Sequence, residues 1–154
     1  MYRIVESAII ERPVSEVFAI VADPDKQLAW DTGGLRRVEK LRPGPLERGA
    51  RYRGDFKGFG VVEYEFVEYE PDLRFAHRAR MPMGEMRHLF TFESVPEGTR
   101  MTQEGTLTPN LAGRPMWPLM MRRMLGNRFR DISTRIQQHL ASGHSVRTPP
   151  VAEP

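Results

Sequence analysis

His77 and His88 are the side chains of this sequence best placed to hold or move a proton. They lie in two runs of alternating polarity, 73–81 and 85–95, separated by Pro82-Met83. A two-residue turn there predicts an antiparallel pair in which Ala79 faces Met86, His77 faces His88, Phe75 faces Phe90 and Leu73 faces Phe92. Every pair falls on one apolar face, while Arg74, Arg78, Arg80, Arg87, Thr91 and Glu93 fall on the other. Side-by-side histidines on such a face have Cβ atoms roughly 5 Å apart. Burial and mutual repulsion both disfavour their charged forms, so at least one imidazole is expected to be neutral near pH 7. A neutral ring can donate to or accept from a ligand carbonyl or hydroxyl, and in an enzyme it could pass a proton. The alternative is that the two rings bond each other or water and only fill space. A longer turn would shift the pairing by two residues and separate them.

The other runs sort in the same way. In 60–69, Val62, Tyr64 and Phe66 share a face opposite Glu63, Glu65 and Val67; in 99–108, Met101, Gln103, Gly105 and Leu107 oppose Arg100, Thr102, Glu104 and Thr106. Charged residues belong outside, because an unpaired buried carboxylate is costly. The inner face is therefore aromatic and Met-rich, with Tyr64, His77, His88 and Gln103 as its polar members. An apolar pocket with a few convergent polar groups is the usual form of a small-molecule site. The expected ligand-binding set is Trp30, Tyr64, Phe66, Phe75, His77, His88, Phe90, Gln103, Trp117, Met120, Met121, Met124 and Arg128. His77 and His88 are the catalytic candidates within it. Each has a plainer reading: Trp30 as a cap on the sheet, Tyr64 as a core tyrosine, Gln103 as the partner of a bulge. Arg128 either snorkels to water or pairs with a ligand carboxylate. Asp31, Asp55 and Glu85 have no partner that the sequence identifies.

No phosphate-binding glycine loop, HExxH or GxSxG motif occurs. His139 and His144 lie five apart across a helix end, a poor metal geometry. No metal or cofactor is expected, and a redox or hydrolytic enzyme is disfavoured.

These faces need an element to cover them. Met121, Leu125, Phe129, Ile132, Ile136 and Leu140 recur at spacings of three and four, one apolar stripe on a long helix from Pro118 to Leu140. About 23 residues make a rod of roughly 35 Å. Its first half carries Trp117, Met120, Met121 and Met124, and its second half carries branched and aromatic residues. Methionine is adaptable, whereas branched side chains specify tight packing. The second half is therefore expected to be core and the first half to roof a cavity, unless the whole stripe is core. Ahead of it, the sequence predicts a strand over 2–10, a short helix after Pro13 stopped by Asp23-Pro24, a second turn of helix over 25–30, and a strand over 35–41. Strands over 51–57, 60–69, 73–81, 85–95 and 99–108 follow, with separators short enough for a meander. Phe59 and Met83, at two of the turns, are expected to flank the cavity mouth. Residues 142–154 read as a flexible polar tail after a single domain over 2–141.

The chain has 154 residues, 40% hydrophobic and 28% charged, which suits one globular domain. Its net charge is only +3, and its arginines alternate with glutamates, so no nucleic-acid footprint is expected. There is no cysteine, no apolar run near the ~20 residues of a membrane span and no signal-peptide pattern at the N-terminus. A cytoplasmic protein is the simplest expectation; self-association as a homodimer stays open.

Strand, two short helices, antiparallel strands and a long closing helix make an α+β chain. This order resembles the START-like, or Bet v 1-like (SRPBCC), superfamily and within it the polyketide cyclase/dehydrase-type proteins. The stretches that carry the resemblance are ERPVSEVFAIVADPDKQLAW, VEYEFVEYEPDLRFAHRA, FTFESVPEGTRMTQEG and the terminal helix, together spanning residues 2 to about 141. The resemblance implies a helix-grip fold, a curved antiparallel sheet wrapped around the C-terminal helix with a cavity between them. It implies binding of a hydrophobic small molecule such as a polyketide, a lipid or an aromatic-like compound. A cyclase or aromatase using a pocket polar group as acid or base is the alternative, and a protein-interaction module the third. The superfamily has no universal catalytic residues to transfer, and fold alone does not give function.

Overall fold

A computed structural model describes the backbone of residues 1–112 and 122–146, and the side chains of those up to 141. Seven strands form one antiparallel sheet: β1 (Tyr2–Ile10), β2 (Leu35–Lys40), β3 (Arg51–Phe56), β4 (Gly60–Glu70), β5 (Arg74–Met81), β6 (Gly84–Val95) and β7 (Gly98–Pro109). Their order across the sheet is β1-β7-β6-β5-β4-β3-β2. Two short helices, α1 (Val14–Ala22) and α2 (Pro24–Trp30), connect β1 to β2, and α3 (Arg122–Val146) closes the fold. The sheet curves around α3 in the helix-grip arrangement.

Local chemistry sets the elements. Pro13 lies extended at the start of α1, and Val17, Phe18 and Val21 bury one face. Asp23 ends α1 and caps α2, accepting from the Asp25 backbone N–H at 3.0 Å, with Pro24 in the first turn where its missing N–H costs nothing. The Pro82-Met83 link is a two-residue turn closed by the pair Met81–Gly84. Gly84, at φ +152°, takes a conformation that few other residues tolerate. The register of β5 on β6 is the one predicted: Ala79 opposite Met86, His77 opposite His88 and Phe75 opposite Phe90.

Two face assignments differ from the sequence reading. Leu73 is 56% exposed, because β5 starts only at Arg74 and Leu73 still belongs to the turn in which Asp72 has φ +65°. In β4 a bulge between Phe66 and Glu68 shifts the alternation by one. That turns Tyr69 inward, where its ring meets Phe18 at 5.5 Å. The end of the helix also differs, since α3 continues through Ser142 and Gly143 to Val146. Trp117, Met120 and Met121 lie outside the described residues.

Among the described residues the apolar side chains form two clusters. The larger joins α1, the sheet and the second half of α3 through Val17, Phe18, Phe66, Phe75, Ile132 and Ile136. The smaller centres on Leu107 and Leu125, with Met81, Met83, Met86 and Met124 around them. The second half of α3 thus packs into the larger cluster, and its first turns, at Met124 and Leu125, pack against methionines of the sheet. Replacing the fully buried Ile136 with Ala is expected to cost ~2–5 kcal/mol in chemical denaturation. Met124→Ala, at a half-buried site in the loose cluster, should cost well under ~2 kcal/mol. Equal losses would mean that both ends of α3 are packed alike.

Candidate functional site

Between the sheet and α3 lies a chamber of about 110 Å³. α3 supplies Leu125, Arg128, Phe129 and Ile132; β4 and β5 supply Val62, Tyr64, Phe75, His77, Ala79 and Met81; β6 supplies Met86, His88 and Phe90. Val21, Gln27 and Trp30 close it from α1 and α2, and Phe56 and Phe59 from the β3–β4 turn. Strand alternation explains the wall, because Tyr64, His77, His88 and Phe90 all stand on the concave face. Of the residues expected at the site, Trp30, Tyr64, Phe75, His77, His88, Phe90 and Arg128 line this chamber. Phe66 and Gln103 are fully buried behind its wall, and Met124 faces an outer groove instead. Gln27 and Phe56 had no sequence signal, since each reaches the chamber only through the packing of its element, whereas Leu125 showed as part of the helix stripe.

The polar groups divide sharply. His88 Nε2 lies 3.0 Å from Gln103 Oε1, while Gln103 Nε2 donates to the Phe129 carbonyl at 2.9 Å and to Ser133 Oγ at 3.0 Å. Two acceptors on the Gln103 nitrogen fix its carbonyl oxygen towards His88. The imidazole must then donate from Nε2, which leaves Nδ1 as its acceptor. The His88 ring is further held between Phe90, at 4.3 Å, and Phe129, stacked at 4.3 Å and 9°. Phe129 comes this close because Gly105 faces it, where a Cβ would stand 2.6 Å from the ring. His77 and His88 do not bond each other. His77 Nε2 and Tyr64 Oη are instead buried without a hydrogen-bond partner among the described residues. Their rings are neighbours, with centroids 4.7 Å apart.

Burial governs the titration of these groups. It pushes the His77 imidazole down to about 3. Burial also brings His88 to about 3, aided by His77 and Arg128 and opposed by the bond to Gln103. His77 itself is half-buried and lines the chamber. Burial raises the Tyr64 phenol well above its usual range. At neutral pH the chamber therefore presents neutral imidazoles and a neutral phenol.

One charged pair borders the chamber. Asp31, wholly buried at the end of α2, receives Arg128 in two-pronged fashion at 2.7 and 2.6 Å and the Gln27 amide at 2.8 Å. Arg128 ties α3 to the end of α2 while still lining the chamber. Gly34 leaves the space, since a Cβ there would collide with the guanidinium. Among the described residues no group of His, Cys, Asp and Glu is arranged to hold a metal, and no helix is long and apolar enough to cross a membrane.

The sheet opens beside the chamber. The β4–β5 ladder ends at Tyr64–Ala79, so Gly60–Glu63 pair only with β3, and Arg80 and Met81 only with β6. A groove of about 800 Å³ occupies the gap. Phe59, Val62, Tyr64 and Met81 line both the groove and the chamber. Phe59 thus stands at the junction, and Met83 on the groove.

A family model described as polyketide cyclase / dehydrase and lipid transport matches residues 1–141. The chain belongs to that family. Uncharacterized proteins of Mycobacterium tuberculosis and Mycobacterium bovis are each 28% identical over 133 residues, covering 78% of this chain and 78% of theirs. Among solved structures, Ara h 8.0201 has a TM-score of 0.74 at 10% identity, covering 92% of this chain and 98% of that one. A Mesorhizobium loti protein has a TM-score of 0.72 at 16% identity, covering 92% and 98%. A protein from the dynemicin biosynthetic locus has a TM-score of 0.69 at 24% identity, with 92% of this chain matching 47% of that one. These likenesses establish the Bet v 1-like fold.

Proposed function

We propose that this polyketide cyclase/dehydrase-family protein binds an apolar small molecule, aromatic or acyl, in the chamber between sheet and α3, as a cytoplasmic binding protein. The observation that carries the reading is the pair of unpartnered polar atoms, Tyr64 Oη and His77 Nε2, in a wall whose other polar members, Gln27, His88 and Arg128, are already hydrogen-bonded. A buried polar atom left without a partner costs ~1–3 kcal/mol, so a ligand carbonyl or hydroxyl that meets both recovers that cost. The chamber volume suits a single ring. A longer ligand has the groove to extend into.

Cyclase-type chemistry is the second reading. The same phenol and imidazole could serve as acid and base for enolisation or dehydration of a ketone. The depressed basicity of both imidazoles argues against it, because efficient general bases lie near the working pH.

Calorimetric titration with an aryl ketone and a hydrocarbon of the same shape tests the proposal. Tyr64→Phe and His77→Phe should each weaken ketone binding by about 2–10-fold and leave the hydrocarbon unchanged. A ketone that binds no better than the hydrocarbon, or is indifferent to both substitutions, would remove the pair from the site. Turnover of a bound poly-β-ketone by the wild type, lost in the two variants, would favour the enzyme.

A further inference from the structure

The gap between β4 and β5 is a polar doorway as well as an opening. Five charged residues line the groove: Arg51, Glu63, Glu65, Arg78 and Arg80. Glu63 is paired with Arg53 at 2.9 Å, and Glu65 with Arg78 at 3.4 Å. Arg78 also approaches Glu85 at 3.9 Å. Arg51 and Arg80 make no ion pair among the described residues. On this face most other arginines are matched: Arg3 with Glu104, Arg74 with Glu68 and Glu70, Arg87 with Glu68, and Arg100 with Glu93. Arg51 and Arg80 stand opposite Glu65 and Glu85 in the strand register without closing an ion pair, and they line the groove where the sheet opens beside the chamber.

The geometry points to a second binding determinant at this doorway: Arg51 and Arg80 hold the carboxylate of an amphipathic ligand whose apolar body reaches through the gap into the chamber. The inference rests on the chamber being a ligand site and adds the class of ligand, an apolar acid. Guanidinium groups match a carboxylate geometrically. Val62 and Met81, which flank the gap and face both spaces, offer an apolar sleeve for the connecting chain. Glu63 and Glu65 on the same rim limit how much negative charge the site accepts, which favours a single-charged carboxylate over a phosphate.

Three probes with one apolar body test this: 4-phenylbutyrate, 4-phenylbutanol and the phosphate monoester of that alcohol, titrated calorimetrically into the full chain. The carboxylate should bind about tenfold tighter than the alcohol at low salt, and added salt should shrink the difference. Arg51→Gln and Arg80→Gln should each weaken the carboxylate about threefold and leave the alcohol unchanged. Arg80 is exposed, so its variant is expected to fold normally. Alcohol and carboxylate binding equally, with neither arginine mattering, would overturn the doorway while leaving the chamber as a site. Phosphate binding tighter than carboxylate would overturn the assignment of a single-charged ligand. No binding of any probe would overturn both readings.

Discussion

Acidification from pH 7 to pH 5 is expected to remove roughly 4 kcal/mol of folding stability through His77 and His88 alone. Both imidazoles sit near 3 in the folded protein, chiefly because burial strips the charged form of its hydration. In the unfolded chain each titrates near ~6.5. A folded value below the unfolded one means that the unfolded chain takes up protons first. Stability from this source is complete above pH ~6.5 and falls as pH drops towards about 3. Each histidine contributes a slope of about 1.4 kcal/mol per pH unit across that window. The combined loss by pH 5 is a large fraction of the ~5–15 kcal/mol stability of a small domain. The Glu104 carboxylate, held below its usual range by Arg3, begins to titrate only at lower pH and does not confuse the reading. Urea midpoints at pH 7.5, 6 and 5 provide the measurement. His77→Phe should roughly halve the slope, because one of the two buried bases is gone. A wild-type stability that stays flat over this range would show that both rings reach water.

Much of this arrangement was legible in the sequence, and the reasons are local. The β5–β6 register followed from Pro82-Met83 and from the requirement that every inward pair be apolar, so the neighbouring histidines could be placed from composition and parity. Burial classes followed from the charges that alternate with the apolar residues. Parity failed where the backbone counts differently. The bulge after Phe66 inserts a residue and sends Tyr69 inward, and the turn at Asp72 keeps Leu73 outside. Nothing in either strand marks the place where the β4–β5 ladder stops. Alternation continues unbroken through Val62 and Met81, because each strand still pairs on its other side. Gln103 showed only as a polar residue on an apolar face. Its role as the link from His88 to Phe129 and Ser133 depends on how α3 lies across the sheet.

The link between α2 and α3 was the least legible feature, and it carries the second large effect. Asp31 and Arg128 are 97 positions apart, and no pattern connects them. Asp31 is wholly buried, whereas the Arg128 side chain is 15% exposed. Their alternatives differ as well. Without Asp31, the guanidinium still has Asp131 at 3.9 Å and a flexible stem that reaches towards water. Without Arg128, the Asp31 carboxylate keeps only the Gln27 amide among its side-chain partners. Arg128→Met is therefore expected to cost ~3–5 kcal/mol, the penalty of a stranded buried charge. Asp31→Asn removes charge but keeps shape, and should cost less, about 1–3 kcal/mol. The double variant should be more stable than Arg128→Met alone, because the stranded carboxylate is gone. Denaturant unfolding of the three variants closes the cycle. Equal single losses that simply add in the double variant would mean that the pair is solvated and holds α3 no more firmly than a surface contact.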